Sequence, residues 1–309
     1  MLTLPPITHL DHLRPGVQQS KEQESAYFNG RLWMDLKEHA TVIVGLFLLT
    51  VIGAALALRE REKEKPAPFK AEPLSTGGGL QNGDNTCYMA SVIQALFALP
   101  GFYETHLANP QRKPGEPQES FQVRESLHLL YVATRNKSTL PASEMKALRE
   151  LHQRCGWLKG KSGQDAQEYC QFLMNHLNQG PMLHIPMQAE LKPTGPIAEA
   201  ELPEYLPIQL LRYSWSEKGG KKEDAPVRPS EILQIPTKEG GTVAYVLSSC
   251  AIHAGTLEGG HYYTYIRDEN GQWMKYNDAS VTLVSTAEAE QDILKNGYLF
   301  FYKRLLHTG

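Results

Sequence analysis

One cysteine lies at a position where its thiol could act as an activated nucleophile. Cys87 follows a turn rich in Gly, Asn and Asp, and the apolar residues after it recur at helical spacing: Met89, Val92, Ile93, Leu96 and Phe97. An amphipathic helix is therefore predicted to begin near Cys87. A thiol in the first turn of a helix faces the positive end of the helix dipole, which favours the thiolate. Cys87 is thus a candidate nucleophile, although a small buried cysteine beside a loop is the simpler interpretation of this residue alone.

A histidine near the C-terminus could serve as the base. Two β-rich runs, 261–267 and 272–277, flank Asp-Glu-Asn-Gly, a sequence typical of hairpin turns. Symmetric folding about 268–271 sets His261 opposite Asp278, and a one-residue bulge sets it opposite Asn277 instead. Either register brings the imidazole within cross-strand reach of an acceptor. A cysteine hydrolase needs this arrangement to take the thiol proton and to fix the imidazole tautomer.

Two neighbours of this histidine bear on the prediction. His253, on the preceding strand, is the competing histidine, but it lacks an equivalent partner and is predicted to be a strand or loop residue. Gly259-Gly260 before His261 permits close approach of another backbone. A substrate tail could occupy that space.

Four sequence boxes, in this order, resemble the ubiquitin-specific protease family of deubiquitinases. They are G-L-x-N-x(3)-T-C-Y-M at 79–89, Q-D-A-Q-E-Y at 164–169, a strand ending in L-x-R-Y at 202–213, and G-H-Y at 260–262 with W-x-x-Y-N-D at 273–278. The resemblance covers about 79–304. It implies an α+β, papain-like fold with a helical thumb and an antiparallel β palm. It also implies thiol-dependent hydrolysis at the C-terminal glycine of ubiquitin, without a cofactor.

The resemblance also implies the roles of the catalytic residues. Cys87 would be the nucleophile, His261 the general base and then acid, and Asn277 the residue that orients the imidazole. Asp278 would be an auxiliary acceptor beside them. Asn82, five residues before the cysteine, resembles the family's oxyanion donor, and its carboxamide N–H suits that role.

Four residues are candidates for binding the ubiquitin tail. Asp165 and Glu168, three apart on one helical face, would meet the basic tail through charge-assisted hydrogen bonds. The alternative is a capping box, with Asp165 at the N-cap and Glu168 at N3, and both roles can hold. Gly260 and Tyr262 of the G-H-Y box are the other two candidates.

The sequence departs from the family pattern at three places. Asp84 replaces a Gly; Asp tolerates positive φ, but a carboxylate aimed at Cys87 would raise the thiol pKa. Ala90 replaces a common Asn, with no consequence that we can derive. Only 33 residues separate Glu168 from Leu202, where many family members insert a zinc-stabilised fingers subdomain. The four cysteines are widely spaced, so we expect reduced or absent fingers and no zinc.

Residues 41–58 are a candidate transmembrane helix. They carry no charge, and 14 of the 18 are apolar; as a helix they would span about 27 Å. A buried core helix is the alternative, although such helices are usually shorter or show a polar stripe. Within twenty residues there are three Lys and Arg before this segment and five after it. This bias favours a cytosolic C-terminal part.

The chain is accordingly divided into a polar arm (1–40), a transmembrane helix through the lipid bilayer (41–58), a charged and Pro-containing tether (59–78) and a catalytic domain (79–304). With 31 Lys and Arg against 34 Asp and Glu, a general nucleic-acid binder is unexpected. We expect a single-pass protein of an intracellular membrane whose catalytic domain faces the cytosol. An organellar eukaryotic enzyme and a bacterial effector in a host membrane both fit this expectation. A weak or inactive ubiquitin-binding pseudoenzyme, and a protease of a ubiquitin-like modifier, are the functional alternatives.

Overall fold

The computed structural model describes residues 77–305 apart from 110, 136–138, 159–164, 217–218, 257–258 and 269. The predicted arm, the predicted transmembrane helix and all but the last two residues of the tether lie outside the described residues. Among the residues that are described, no helix is both long and apolar enough to cross a membrane. The transmembrane helix therefore stays a prediction.

Helices and one large sheet make up the described part of the chain. The helices are α1 (Cys87–Phe97), a π-helical turn (Tyr103–Leu107), α2 (Gln118–Arg135), α3 (Ala142–Arg154), α4 (Ala166–His176), a 3₁₀ turn (Glu199–Glu201) and α5 (Thr286–Asn296). The strands are β1 (Leu183–Pro186), β2 (Glu190–Leu191), β3 (Tyr205–Leu211), β4 (Tyr213–Ser216), β5 (Gly219–Lys222), β6 (Arg228–Pro229), β7 (Ile232–Pro236), β8 (Thr242–Gly255), β9 (Gly260–Arg267), β10 (Trp273–Asn277), β11 (Ser280–Val284) and β12 (Gly297–Arg304). The expected mixture of helix and sheet is confirmed.

The large sheet has the order β1-β3-β12-β8-β9-β10-β11, with β7 paired to β8. Its pairs are antiparallel except β1 with β3. Both faces are covered, because alternate residues of β12 enter different cores. Leu299 and Phe301 pack with α1 and the other N-terminal helices, whereas Phe300 and Tyr302 pack with α5.

Helix α1 begins at Cys87, as the hydrophobic spacing predicts, and all of its residues are buried. Side chains of the sheet fix it in place. Ser248 Oγ donates to the carbonyl of Ala98 at 3.0 Å, and Thr264 Oγ1 donates to the carbonyl of Ser91 at 2.7 Å. The first bond satisfies a carbonyl at the C-terminal end of α1, where the helix offers no further N–H, and the second adds to a carbonyl within the helix. The sheet therefore determines where the N-terminus of α1, and with it Cys87, is held.

The hairpin β9–β10 forms, but its predicted register is wrong. Arg267 pairs with Trp273 and Thr264 with Tyr276, so the loop contains five residues rather than four. Asp268 Oδ1 closes this loop by accepting from the backbone N–H groups of Asn270 and Gln272 at 3.0 and 2.7 Å. His261 is consequently opposite neither Asp278 nor Asn277. Continuing the register makes Asn277 its diagonal neighbour, which is still within reach of a side chain.

Candidate active site

The candidate nucleophile lies at a helix N-terminus. Cys87 is the first residue of α1, and the N-cap residue Thr86 makes no side-chain hydrogen bond to the first turn. The first turn contains no acidic residue that would oppose a negative charge there. Cys87 is 9% exposed. This environment favours an anion at the sulfur and beside it.

His261 connects the candidate nucleophile with an acceptor. Its imidazole is hydrogen-bonded to the side chain of Cys87, and its Nε2 lies 2.6 Å from Asn277 Oδ1. Asp278 Oδ2 is farther from the same nitrogen, at 3.7 Å. Because Nε2 faces Asn277, Nδ1 is the nitrogen that remains for the thiol. The hydrogen bond to Asn277 fixes the tautomer and the plane of the ring.

The surroundings of His261 favour the imidazolium. Its hydrogen bond to Cys87 raises the pKa of His261 to about 9; burial acts against this rise, and Asn277 and the charge of Asp278 add to it. A raised pKa in the folded state means that the associated stabilisation is fully present below about pH 6.5 and is lost as the pH rises through about 9. At neutral pH the site therefore holds a protonated imidazole beside Cys87.

We expect Cys87→Ala to lower the pKa of His261, because the bond to Cys87 is the largest cause of its rise. Asn277→Ala should lower the same pKa by a smaller amount. Titration of the imidazole C–H signals by NMR measures both values. His106, whose pKa is lowered to about 4 by burial, is the internal control and should keep the same pKa in all three proteins. An unchanged His261 pKa in Cys87→Ala would contradict the assigned contact.

Asn82 is held by the turn that precedes α1. Its Oδ1 accepts from the backbone N–H of Thr86 at 2.8 Å, and Thr86 Oγ1 accepts from the N–H of Gly83 at 2.8 Å. With the oxygen occupied, the amide N–H groups of Asn82 face away from the turn, toward the carboxylate of Asp278. A hydrogen-bond donor is therefore oriented beside the N-terminus of α1.

Asp278 lies in the tight turn between β10 and β11. It has a φ of +52°, and its carbonyl accepts from the N–H of Leu80 at 2.9 Å. A Cβ on Gly79 would lie 2.3 Å from the carbonyl oxygen of Ala279, so only glycine permits this approach. Burial raises the pKa of Asp278, while His261 and Asn82 oppose the rise. The close packing of the two turns brings Asp278 and Asn82 together at the site.

Asp84 has positive φ, as its replacement of glycine suggested, but its carboxylate is directed to helix α3. Its φ is +54°. Asp84 Oδ2 lies 3.1 Å from Lys146 Nζ and 3.8 Å from Arg149 Nη2. The carboxylate of Asp84 is therefore aimed at α3 and not at the thiol of Cys87.

Asp165 is the N-cap of α4, as the capping interpretation predicts. Its carboxylate accepts from the backbone N–H groups of Gln167 and Glu168 at 2.6 and 3.4 Å. It also accepts from the hydroxyls of Tyr262 at 3.1 Å and Tyr298 at 3.0 Å. Burial raises its pKa. Asp165 thus connects a helix to two strands of the sheet, while Glu168 is half-buried in the first turn of the same helix.

A neighbouring side chain leaves room only for glycine at position 260. A Cβ there would lie 2.4 Å from His253 Nε2. His253 is buried in β8, as a strand residue, and its Nδ1 is bonded to the hydroxyl of Tyr213. Burial lowers the pKa of His253 to about 4. The histidine that competes with His261 is therefore neutral and already partnered, and its packing accounts for Gly260 without a substrate.

Sequence reasoning overlooked Tyr298 and Arg149. Tyr298 bonds the carboxylate of Asp165 from β12, and Arg149 reaches the turn before Cys87 from α3. No motif in the sequence marks either residue. Within the described ranges no group of three His, Cys, Asp or Glu could hold a metal ion.

Known proteins resemble this chain over different lengths. The human ubiquitin carboxyl-terminal hydrolase 17-like protein 15 is 22% identical over 321 residues, covering 81% of this chain and 57% of the relative. The probable ubiquitin carboxyl-terminal hydrolase 4 of Schizosaccharomyces pombe is 33% identical over 115 residues, covering 34% of this chain and 19% of the relative. The chain thus spans less than two thirds of the length of these curated relatives.

Solved structures share the fold. A structure of the yeast SAGA deubiquitinating module matches with a TM-score of 0.57 and 18% identity, covering 84% of this chain and 75% of the other. The SAGA module bound to monoubiquitin matches with a TM-score of 0.56 and 20% identity, covering 84% and 76%. The sequence profile of the ubiquitin carboxyl-terminal hydrolase family (UCH) matches residues 78–188 and 197–302. Because this match covers more than half of the chain, the protein belongs to the ubiquitin carboxyl-terminal hydrolase family.

Proposed function

We propose that this protein is a cysteine-type deubiquitinase that hydrolyses isopeptide and peptide bonds at the C-terminal glycine of ubiquitin. The observation that carries the proposal is one imidazole, that of His261, bonded to both Cys87 and Asn277. Membership of the family and the likeness in fold to a module bound to monoubiquitin support ubiquitin as the substrate.

The geometry suggests a two-stage reaction. The Cys87 thiolate attacks the carbonyl carbon of the terminal glycine, and the oxyanion that forms is stabilised by the N–H groups of Asn82 and of the first turn of α1. The imidazolium of His261 then donates its proton to the leaving amine, which leaves a thioester on Cys87. In the second stage His261 takes a proton from water, the hydroxide attacks the thioester, and the C–S bond breaks to release the Cys87 thiolate and the ubiquitin carboxylic acid, which loses its proton to solvent.

Covalent labelling is the direct test. The full chain should form one adduct with ubiquitin that carries a C-terminal alkyne, and mass spectrometry should locate the new thioether at Cys87. A known deubiquitinase run beside it verifies the probe. No adduct under conditions in which that enzyme reacts would overturn the proposal. Parallel labelling with probes made from ubiquitin-like modifiers distinguishes a protease of such a modifier.

We expect Asn82→Ala to lower kcat about 10²- to 10³-fold with little change in KM, because the oxyanion exists only in the transition state. Cleavage of ubiquitin amidomethylcoumarin measures both constants. Asn82→Asp is the matched variant, since it keeps an acceptor for the N–H of Thr86 but has no N–H to donate. It should be as impaired as Asn82→Ala. A kcat within about threefold of wild type in both variants would contradict the role.

A ubiquitin-binding pseudoenzyme is the second candidate. Its support in the sequence is Asp84, whose carboxylate is paired with Lys146 and Arg149 rather than aimed at the thiol. The intact group of Cys87, His261 and Asn277 argues against it. Ubiquitin binding without turnover, together with turnover restored by Asp84→Gly, would favour this candidate.

We further propose a compact enzyme without zinc-bearing fingers. The described residues between α4 and β3 contain only β1, β2 and a 3₁₀ turn. A usual zinc site would need clustered thiols, whereas Cys155, Cys170 and Cys250 are each buried and free. Metal analysis of the purified protein measures this directly, and stoichiometric zinc would contradict the proposal.

We also propose that residues 41–58 anchor the enzyme in an intracellular membrane with its catalytic part in the cytosol. The uncharged run of 14 apolar residues in 18 and the excess of Lys and Arg after it support this topology. The full chain should float with liposomes and resist alkaline extraction. A chain that lacks 41–58 should do neither, and equal behaviour of the two would contradict the anchor.

A further inference from the structure

The turn before Cys87 has an unusual backbone conformation. Asp84 and Asn85 have φ values of +54° and +63°, so two successive residues with side chains lie in the left-handed region. Asp and Asn tolerate that region better than other residues with side chains, but it still costs free energy, and two such residues in succession depend on the structure around them. Contacts from outside the turn can therefore add to the hydrogen bonds within it.

Helix α3 supplies those contacts. The guanidinium of Arg149 donates to the carbonyl oxygen of Asp84 and also lies 3.8 Å from its carboxylate. The side chain of Arg149 is only 15% exposed, whereas that of Lys146, the other cation on Asp84, is 53% exposed. A partly buried guanidinium that contacts both a carbonyl and a carboxylate constrains geometry more than a solvated ammonium does.

The start of α3 also limits how the turn can move. A Cβ on Gly83 would lie 2.3 Å from the carbonyl oxygen of Ala142, so the turn rests directly on the backbone there. Gln81 Oε1 accepts from the N–H of Ala142 at 3.3 Å. The turn is therefore packed against α3 at one side and held by Arg149 at the other.

The residues that would stabilise the oxyanion lie on either side of Asp84. The bonds from Thr86 N to Asn82 Oδ1 and from Gly83 N to Thr86 Oγ1, both 2.8 Å, close residues 82–86 into a ring. A change in the Asp84 backbone would rotate the Asn82 amide, whereas α1 and Cys87 are held separately by the sheet. We propose that Arg149 is a positioning residue that holds the oxyanion donors through Asp84. This inference rests on the proposed function.

Kinetics of the full chain on ubiquitin amidomethylcoumarin test the inference. Arg149→Ala should lower kcat about 10- to 100-fold with KM little changed, since misplaced donors act only on the transition state. Asp84→Asn removes the ion pair but tolerates positive φ and keeps the carbonyl bond, so its loss should be smaller. The double variant should be no slower than Arg149→Ala alone, because both changes affect the same interaction between Arg149 and Asp84. Arg154→Ala, an exposed arginine of the same helix, is the matched control.

Two further measurements separate positioning from general stability. The rate of Cys87 alkylation by iodoacetamide should be unchanged in Arg149→Ala, because the pair with His261 is untouched. Hydrogen exchange of peptides covering 80–88 should be faster in Arg149→Ala and unchanged in Arg154→Ala, since the N–H groups of Gly83 and Thr86 lose their fixed partners.

The outcomes are distinguishable from failure of the proposed function. If wild type does not cleave ubiquitin, the proposed function fails, and the exchange experiment still decides whether Arg149 holds the turn. Unchanged exchange in Arg149→Ala overturns the inference. So does a kcat equal to that of Arg154→Ala, or a fall in alkylation rate that matches the fall in kcat.

Discussion

Cys87→Ala should abolish both ubiquitin labelling and turnover, with a fall in kcat/KM of at least about 10⁴-fold. The thiolate at the N-terminus of α1 is the only nucleophile that attacks the scissile bond in the proposed reaction, so no partial pathway remains. The variant should still bind ubiquitin, because truncation of one small side chain leaves the strands and helices around it in place. Fluorogenic cleavage, alkyne labelling and calorimetric titration with ubiquitin measure the three properties.

Cys155→Ala is the matched control for this loss. Cys155 is also buried near the helices, and its pKa is raised by burial, which disfavours a reactive thiolate. The control should be labelled at the wild-type rate. Labelling that persists in Cys87→Ala and disappears in Cys155→Ala would move the nucleophile to another residue.

Local patterns predicted the elements that carry the site. The start of α1 at Cys87 follows from hydrophobic residues three and four apart, a pattern complete within eleven residues. The N-cap at Asp165 is equally local, because a carboxylate followed by Glu three residues later bonds amides of its own first turn. Such signals depend on neighbours in the chain and can therefore be seen in one sequence.

The hairpin register could not be predicted from strand symmetry. Asp268 accepts hydrogen bonds from two backbone N–H groups of its own loop. These bonds favour a five-residue loop over the shorter turn that the sequence Asp-Glu-Asn-Gly suggests. A shift of one residue changed the partners across the sheet. Asn277 nevertheless reached His261 diagonally, because aligned strands leave more than one neighbour within side-chain reach.

Partners distant in sequence also escaped prediction. Asp84 is held by Arg149 across 65 positions, and Asp165 by Tyr298 across 133. The carboxylate of Asp84 could point toward the thiol of Cys87 or toward another element of the fold. Only the packing of α3 against the turn determines which way it points, and with it whether the residue impairs or supports catalysis.

His261→Ala should lower kcat/KM about 10⁴-fold and should also slow alkylation of Cys87 at neutral pH. Both effects follow from one contact: the imidazolium beside the sulfur stabilises the thiolate before substrate arrives and later protonates the leaving amine. This double loss distinguishes His261 from Asn82, whose replacement should slow turnover only. Iodoacetamide kinetics and fluorogenic cleavage on the same samples measure it.

His253→Gln is the matched control, because glutamine keeps an acceptor for the hydroxyl of Tyr213 and cannot act as a base. It should retain kcat within about tenfold of wild type and alkylate normally, since His253 is a partnered residue of β8. Turnover lost in His253→Gln but retained in His261→Ala would reverse the assignment of the base. Normal alkylation in His261→Ala would mean instead that the thiolate is maintained by the N-terminus of α1 without the imidazole.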